Sequence, residues 1–384
     1  MTYIYFDQAA SSFPKPTTVA EAMTKAINEY GANPGRGGHT LAVQANDIIY
    51  QTRKKLAVMF GANHPNDIIF FSNATYALNQ AIQGLPLKEG DHVISTMVEH
   101  NSVRRPLEYM KKEKKIGVTY VHPRKDGLIY REDIEQELTD KTVAVIVSHG
   151  SNVTGAITPV EHIGKLLQPY AITYIVDASQ TAGVLPLDMK QHHIDILAFP
   201  GHKGLLGPQG TGILVIGTEM TLQPLVYGGT GSHSEQPFQP EERPYQYESG
   251  TLNTPGIAGL SAGIDEVLNI GIDSIFSHEW ELTSYCLEKL NKIDGITVYG
   301  PSKEIKRLGV ISFSVEHVDG HEIAMILDQH YKIAVRAGLQ CSPLTHEVLG
   351  TTETGTVRVS FGPYNTKDEI DRLIEALLEI KSYM

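Results

Sequence analysis

Through the first two-thirds of the chain, apolar residues fall in short, nearly unbroken runs separated by stretches of helical period. Val143-Ala144-Val145-Ile146-Val147 is the clearest run. A strand wetted on one face alternates apolar and polar positions, so an unbroken run predicts a strand covered on both faces, as in a parallel sheet between helices. The runs predict strands at Asp67–Phe71, His92–Thr96, Val118–His122, Val143–Ser148, Thr173–Val176, Ile194–Phe199 and Gly212–Ile216. Helical stretches lie between them, for example Pro159–Leu167, where Pro159 suits a first turn. The alternation predicts a large α/β domain with a mostly parallel central sheet over residues 15–255.

From about Gly256 the pattern changes. Helical segments Gly256–Leu268, Ser277–Ile293 and Lys367–Tyr383 mix with isolated strands at Gly309–Val315 and Thr356–Ser360. This predicts a smaller α+β C-terminal domain, residues 256–384, joined by the N-terminal segment 1–14. The polar, proline-rich stretch Gly228–Arg243 before it is expected to be a loop.

Composition narrows the possibilities. The 384 residues are 41% hydrophobic and 20% charged, ordinary for a soluble globular protein. The net charge of −12, without a Lys/Arg run, argues against a nucleic-acid binder. No apolar window is long enough to span a membrane, and the first residues lack the pattern of a signal peptide. Only two cysteines occur, Cys286 and Cys341, with no Cys-x-x-Cys pair. That fits a reducing, cytoplasmic compartment and leaves neither a disulfide framework nor a cysteine zinc site. The histidines give no metal site either: His317 and His321 enclose a turn, and His346-Glu347 lacks a second histidine.

In open α/β sheets, functional loops gather at the carboxyl ends of the strands. Several polar clusters fall there: Ser72-Asn73-Ala74-Thr75 leading into a helix near Thr75, Glu99-His100-Asn101-Ser102, Ser148 to Gly155, and Asp177-Ala178-Ser179-Gln180. Each by itself is also what capping and turn chemistry would produce. Pro200-Gly201-His202-Lys203-Gly204 is sharper, because it puts a lysine in a glycine-rich turn straight after an apolar strand. It lacks the spacing of a Walker phosphate loop. Two readings stay open: a solvated loop lysine, or a Schiff-base lysine with the glycines giving room for a flat ring.

Taken in order, these segments resemble fold-type I pyridoxal-phosphate (PLP) enzymes, and among them the class V aminotransferase-like family that contains the cysteine desulfurases. The resemblance runs from Tyr5-Phe6-Asp7-Gln8-Ala9-Ala10 to Arg358-Val359-Ser360. It implies that Lys203 carries the cofactor covalently, that Asp177 pairs with the pyridine nitrogen, and that His100 stacks on the ring and moves protons. Asn152 and Gln180 would lie near the phenolic oxygen. Ala74, Thr75 and His202 would lie at the phosphate, joined by Thr251 from a second subunit of a homodimer. Asn152 and Arg358 would bind the substrate, Arg358 holding its carboxylate. Two departures stand out: relatives usually carry Ser or Thr at Pro200 and often a second Thr at Ala74, so more of the phosphate grip would pass to backbone N–H groups.

Cys341 separates the possible reactions. Gly338 and Pro343 place it in a loop, and nearby Arg336 and His346 are expected to favour the thiolate. The segment Arg336-Ala337-Gly338-Leu339-Gln340-Cys341 resembles that of the SufS/CsdA-like desulfurases, with Gln340 where histidine is frequent. The resemblance implies conversion of L-cysteine to L-alanine with a persulfide on Cys341, and a sulfur-acceptor protein as partner. The alternatives are selenocysteine or cysteine-sulfinate lysis, transamination and epimerisation. Cys286, on the stripe Trp280, Cys286, Leu287, Leu290, Ile293, is expected to pack in the core.

Overall fold

The structure is a computed structural model that describes residues 3–35, 38–232 and 235–383; His233 and Ser234, within the expected 228–243 loop, lie outside that range, as do residues 1, 2 and 384 of the expected small domain. The central sheet has seven strands in the order Ile68–Phe71, Gly212–Ile216, Ile196–Pro200, Thr173–Asp177, Thr142–Ser148, His92–Thr96, Gly117–Val121. All run the same way except Gly212–Ile216, which is antiparallel to both neighbours. Each expected strand is present, with ends shifted by two residues at most.

The unbroken apolar runs have the cause expected of them. Val145, Val147, Leu197, Phe199, Ile213 and Val215 face one apolar cluster, while Ala144, Ile146, Ile196, Ala198, Leu214 and Ile216 face another. Successive residues of a strand point to opposite faces, so a sheet covered on both sides needs apolar residues at every position. The helices Ala74–Gln83 and Asn101–Lys114 cover one face; Thr40–Phe60, Val160–Leu167 and Thr254–Ile270 cover the other.

The edge strand Ile68–Phe71 is closed by side chains. Glu248 Oε1 accepts from Phe70 N at 2.6 Å, and Arg53, which donates to Ile68 O, pairs with Glu248 Oε2 at 2.5 Å.

The smaller body holds a four-stranded antiparallel sheet in the order Arg336–Gly338, Thr356–Ser360, Val310–Val315, Ile296–Tyr299. Helices Ile272–Leu290, Gly320–Tyr331 and Lys367–Ser382 pack on it around a separate core. Ile4–Tyr5 pairs with Ile333–Ala334, and Ile4 and Phe6 enter this core. The helix Thr254–Ile270 instead puts Ile257, Leu260 and Ile264 into the core of the large sheet, and we propose that the division falls after it, near Gly271. Among the described residues no helix is long and apolar enough to cross a membrane.

On Ile272–Leu290 the buried positions are Ile275, Glu279, Leu282, Thr283, Cys286, Leu287 and Leu290. Cys286 is in the core, but Trp280 is only half-buried: it sits one position off this stripe, and Glu279 takes the inner place. Glu279 lies beside Gly309, and burial pushes its carboxyl up to about 8. Its folded pKa is thus above the unfolded value, so the folded chain binds more protons between roughly pH 4.5 and 8. Stability should therefore fall as pH rises through that window, by at most about 1.4 kcal/mol per pH unit. Glu279→Gln should flatten this part of the profile; urea unfolding at pH 5.5 and pH 8, at fixed protein concentration, reads it, and a variant with the wild-type slope would show that another group is responsible.

Candidate active site

A cavity of about 290 Å³ opens at the carboxyl ends of the central strands and meets the smaller body. Its lining includes Ala74, Thr75, His100, Asn152, Asp177, Gln180, His202, Lys203, Cys341 and Arg358, so ten of the eleven expected site residues come together. Thr251 does not. It is exposed and lines two neighbouring grooves, one of about 680 Å³ with Tyr76, Leu225 and Val226 on its wall.

Asp177 is the last residue of its strand, buried, with Oδ1 accepting from Ser179 N at 2.9 Å. Lys203 sits in the turn after Ile196–Pro200, closed by Leu206 N donating to Lys203 O at 2.9 Å. Its amine makes no hydrogen bond among the described residues. Burial pulls it down to about 8, against the opposing pull of the Asp177 carboxylate. The neighbouring glycines do not serve to clear space for a ring, as expected above. A Cβ on Gly201 would fall 2.3 Å from Thr211 Oγ1, and one on Gly204 would fall 2.5 Å from Ala182 O. They let the turn pack onto the protein behind it.

Two helices begin at the cavity. Asn73 caps Ala74–Gln83, accepting from Tyr76 N at 3.1 Å. The first N–H groups of a helix have no partner within it, and Ala74 and Thr75 carry two of them into the cavity wall. His100 caps Asn101–Lys114 through Nδ1, which accepts from Ser102 N at 3.0 Å. A nitrogen that accepts cannot carry the ring proton, so neutral His100 has its hydrogen on Nε2. Burial, then the Lys203 charge, lowers its pKa to about 4 and keeps it neutral. Ser102 Oγ joins His100 Nδ1 at 2.9 Å to Thr75 Oγ1 at 2.8 Å. Nothing in the sequence beyond the polar cluster pointed to Ser102.

His202 Nδ1 is buried without a partner among the described residues, and burial lowers the ring to about 4. Its carbonyl is gripped by Ser12 N at 3.0 Å and Lys15 Nζ at 2.8 Å. Gln180 Nε2 donates to Ala9 O at 3.1 Å. Asn152 Nδ2 donates to Gln340 O at 2.7 Å, and its Oδ1 accepts from Ser342 Oγ at 2.7 Å. Arg358, inside the strand Thr356–Ser360, donates to Asp7 Oδ1 at 2.7 Å and to Asn152 O at 2.9 Å. Among the described residues, three of its five N–H donors stay uncommitted, Nε among them. Asp7 also takes Arg336 at 2.8 Å on its other oxygen. Behind the cavity Glu99 is fully buried, accepting from Ser148 N and Oγ and from Thr96 Oγ1; burial pushes its carboxyl up to about 7.

Cys341 is exposed at the cavity edge, in the turn between Arg336–Gly338 and Pro343–Leu349. The expectation that His346 favours its thiolate fails. His346 is fully buried, both ring nitrogens are engaged, by Thr351 and Gln340, and burial lowers its pKa to about 4, so it brings no positive charge. Arg336 does line the cavity, paired with Asp7.

The donor set suits a flat, anionic, aldehyde-bearing group. The lining supplies helix-start N–H groups at Ala74 and Thr75, the Thr75 hydroxyl and the His202 ring, which could hold an anionic end; the Asp177 carboxylate, which could hold a protonated ring nitrogen; and the Lys203 amine, whose pKa burial lowers. The sheet with one reversed strand, the second body at its carboxyl edge and this cavity are the architecture of fold-type I enzymes. The family model Aminotransferase class-V matches residues 4–373. A probable cysteine desulfurase of Methanothermobacter thermautotrophicus is 37% identical over 383 residues, 98% of this chain and 94% of that protein. One of Halalkalibacterium halodurans is 36% identical, over 99% of this chain and 93% of that protein. The apo cysteine desulfurase of Thermococcus onnurineus superposes with a TM-score of 0.93 at 34% identity, covering 100% of this chain and 95% of that one. The Escherichia coli cysteine desulfurase CsdA gives 0.90 at 26%, with the same coverage. The chain belongs to the class V aminotransferase family.

The electrostatics of Lys203 are open to direct test. In protein with no aldehyde bound, labelling of Lys203 by trinitrobenzenesulfonate should titrate with a midpoint near 8. Asp177→Asn removes the charge that favours the ammonium form and should move the midpoint lower. A midpoint in the range of free lysine, or one indifferent to Asp177, would contradict the arrangement.

Proposed function

We propose that this chain is a PLP-dependent cysteine desulfurase acting in the cytoplasm, converting L-cysteine to L-alanine and storing the sulfur as a persulfide on Cys341. The observation that carries this reading is an exposed thiol on the same cavity as a lysine amine and a buried arginine that, among the described residues, keep donors uncommitted. The relatives named cysteine desulfurases over nearly the whole chain support it. When bound, PLP supplies an electron sink beside the substrate's α-carbon. Lys203 would hold it covalently, Asp177 its ring nitrogen, and Thr75, His202 and the Ala74 backbone its phosphate, with Asn152 and Gln180 at the ring edge.

The chain's own residues then divide the work. Arg358 receives the substrate carboxylate on donors that Asp7 and Asn152 leave free. His100 would lie against the ring, and its neutral imidazole would take or return a proton near Lys203. The Cys341 thiolate attacks the substrate sulfur, forming an S–S bond as the carbon–sulfur bond breaks. Cysteine and enzyme thiol become alanine and enzyme persulfide, with no outside oxidant or reductant. A thiol-bearing acceptor protein would then remove the sulfur.

We further infer a homodimer in which Thr251 of the partner subunit reaches the phosphate end. The apolar groove around Thr251 supports this, with Tyr76 58% and Val226 56% exposed on its wall.

Cys341→Ala should bind PLP normally yet lose sulfide and alanine production from L-cysteine by about 100-fold or more. Activity on selenocysteine or cysteine sulfinate, whose leaving groups need less help, should persist. Wild-type sulfide release by this variant would make a lyase or transaminase the better reading. Borohydride reduction of the yellow protein should fix the label on Lys203 by peptide mapping. For the dimer, mixing inactive Lys203→Ala with inactive Thr251→Ala under conditions of subunit exchange should restore part of the activity; a fully active monomer in sedimentation would rule it out.

A further inference from the structure

The turn that carries Cys341 has an unusual backbone. Ser342 N donates to Leu339 O at 2.9 Å, and the two residues between, Gln340 and Cys341, have φ of 42° and 59°. A four-residue turn with both central residues left-handed is the geometry that Asn-Gly pairs favour. Residues with a Cβ adopt it rarely, because the Cβ crowds the following carbonyl. Neither central residue here is glycine or asparagine, so contacts outside the turn must hold it.

The Gln340 side chain supplies them. Its Nε2 donates to Thr356 O at 3.0 Å, and its Oε1 faces Thr356 Oγ1 at 3.3 Å and His346 Nε2 at 2.8 Å. Thr356 O only accepts, which fixes the amide with its NH₂ toward that carbonyl and its oxygen toward His346. His346 must then carry its hydrogen on Nε2, leaving Nδ1 to accept from Thr351 Oγ1 at 2.8 Å. This is the neutral ring that full burial favours. The anchor point, Thr356, lies two residues from Arg358 on the same strand. The turn's carbonyls are also held by the large body, Gln340 O by Asn152 and Cys341 O by Asn101 N at 2.8 Å.

We propose that Gln340, braced by His346, is a positioning residue: it holds the Cys341 turn in its left-handed form and so fixes the thiol relative to Arg358. The proposal rests on the desulfurase reading. It adds that sulfur abstraction depends on the shape of this turn, whereas substrate binding does not.

The test uses the holoenzyme and three variants. Gln340→Leu keeps the bulk and removes the hydrogen bonds. Its kcat for alanine release from L-cysteine should fall about tenfold or more, since small misplacement of a reacting group is costly. KM should stay within about twofold, because Arg358 is untouched. Amide exchange at Ser342 should accelerate while exchange in Thr142–Ser148 stays as in wild type. Gln340→Gly adopts positive φ without penalty and should recover most of the lost kcat. Thr351→Val, which removes only the far end of the chain of bonds, should show the same pattern at about threefold, and it decides the matter if Gln340→Leu does not fold. Wild-type kcat and Ser342 exchange in Gln340→Leu would overturn the proposal, and so would equal losses in the leucine and glycine variants. Failure of the desulfurase reading appears elsewhere, as sulfide release by Cys341→Ala, while Ser342 exchange reports on the turn whatever the reaction is.

Discussion

The cavity depends on the ion pair between Asp7 and Arg358. Arg358 is buried in a strand of the smaller body, where an unpaired guanidinium would cost several kcal/mol. Asp7 neutralises it from the N-terminal segment, and the same guanidinium donates to Asn152 O in the loop after the central strand Thr142–Ser148. One side chain thus ties together residues 7, 152 and 358, from three distant parts of the sequence. Pairs of this kind contribute little net stability, but their geometry is demanding. Here that geometry sets how the smaller body meets the sheet, and with it the width of the site.

Desolvation decides the charge state of much of the chemistry around that pair. His100 and His202 are held neutral, and the amine of Lys203 is brought near neutral pH. Arg358 and Arg336 share one carboxylate, that of Asp7. The cavity therefore offers guanidinium groups for an anionic substrate, imidazoles that stay neutral, and one amine that exchanges its proton near neutral pH. Burial is the main cause of this mixture, helped at His100 by the Lys203 charge, because guanidinium is too basic to be neutralised by it and imidazole is not.

The central sheet was legible because burial on both faces leaves a mark on every residue of a strand, as in Val143 to Val147. Lys203 and Asp177 were legible because they interrupt such runs at the carboxyl end. Other features were set by tertiary packing that leaves no local mark. Trp280 looked like core, but the inner stripe of its helix runs through Glu279. His346 looked like a charge near Cys341, yet it is a buried neutral link to Gln340. The glycines beside Lys203 looked like clearance for a ring and proved to be points of contact with Thr211 and Ala182. The left-handed turn at Gln340-Cys341 runs against its own sequence; the contacts that hold it come from elsewhere, from His346, from Asn152 and Asn101, and from the strand Thr356–Ser360, sixteen residues on.

The closure of the edge strand Ile68–Phe71 bears on how the chain behaves in company. An unpaired strand edge is a template on which another chain can add a strand. Glu248 occupies the outward N–H of Phe70 and Arg53 the outward carbonyl of Ile68, so the rung that a visiting strand would use is already filled. Two side chains do the work of an eighth strand, and the sheet ends where its own chain ends it. That makes templated growth of the sheet unfavourable at this border even while the neighbouring apolar groove stays open to a folded partner.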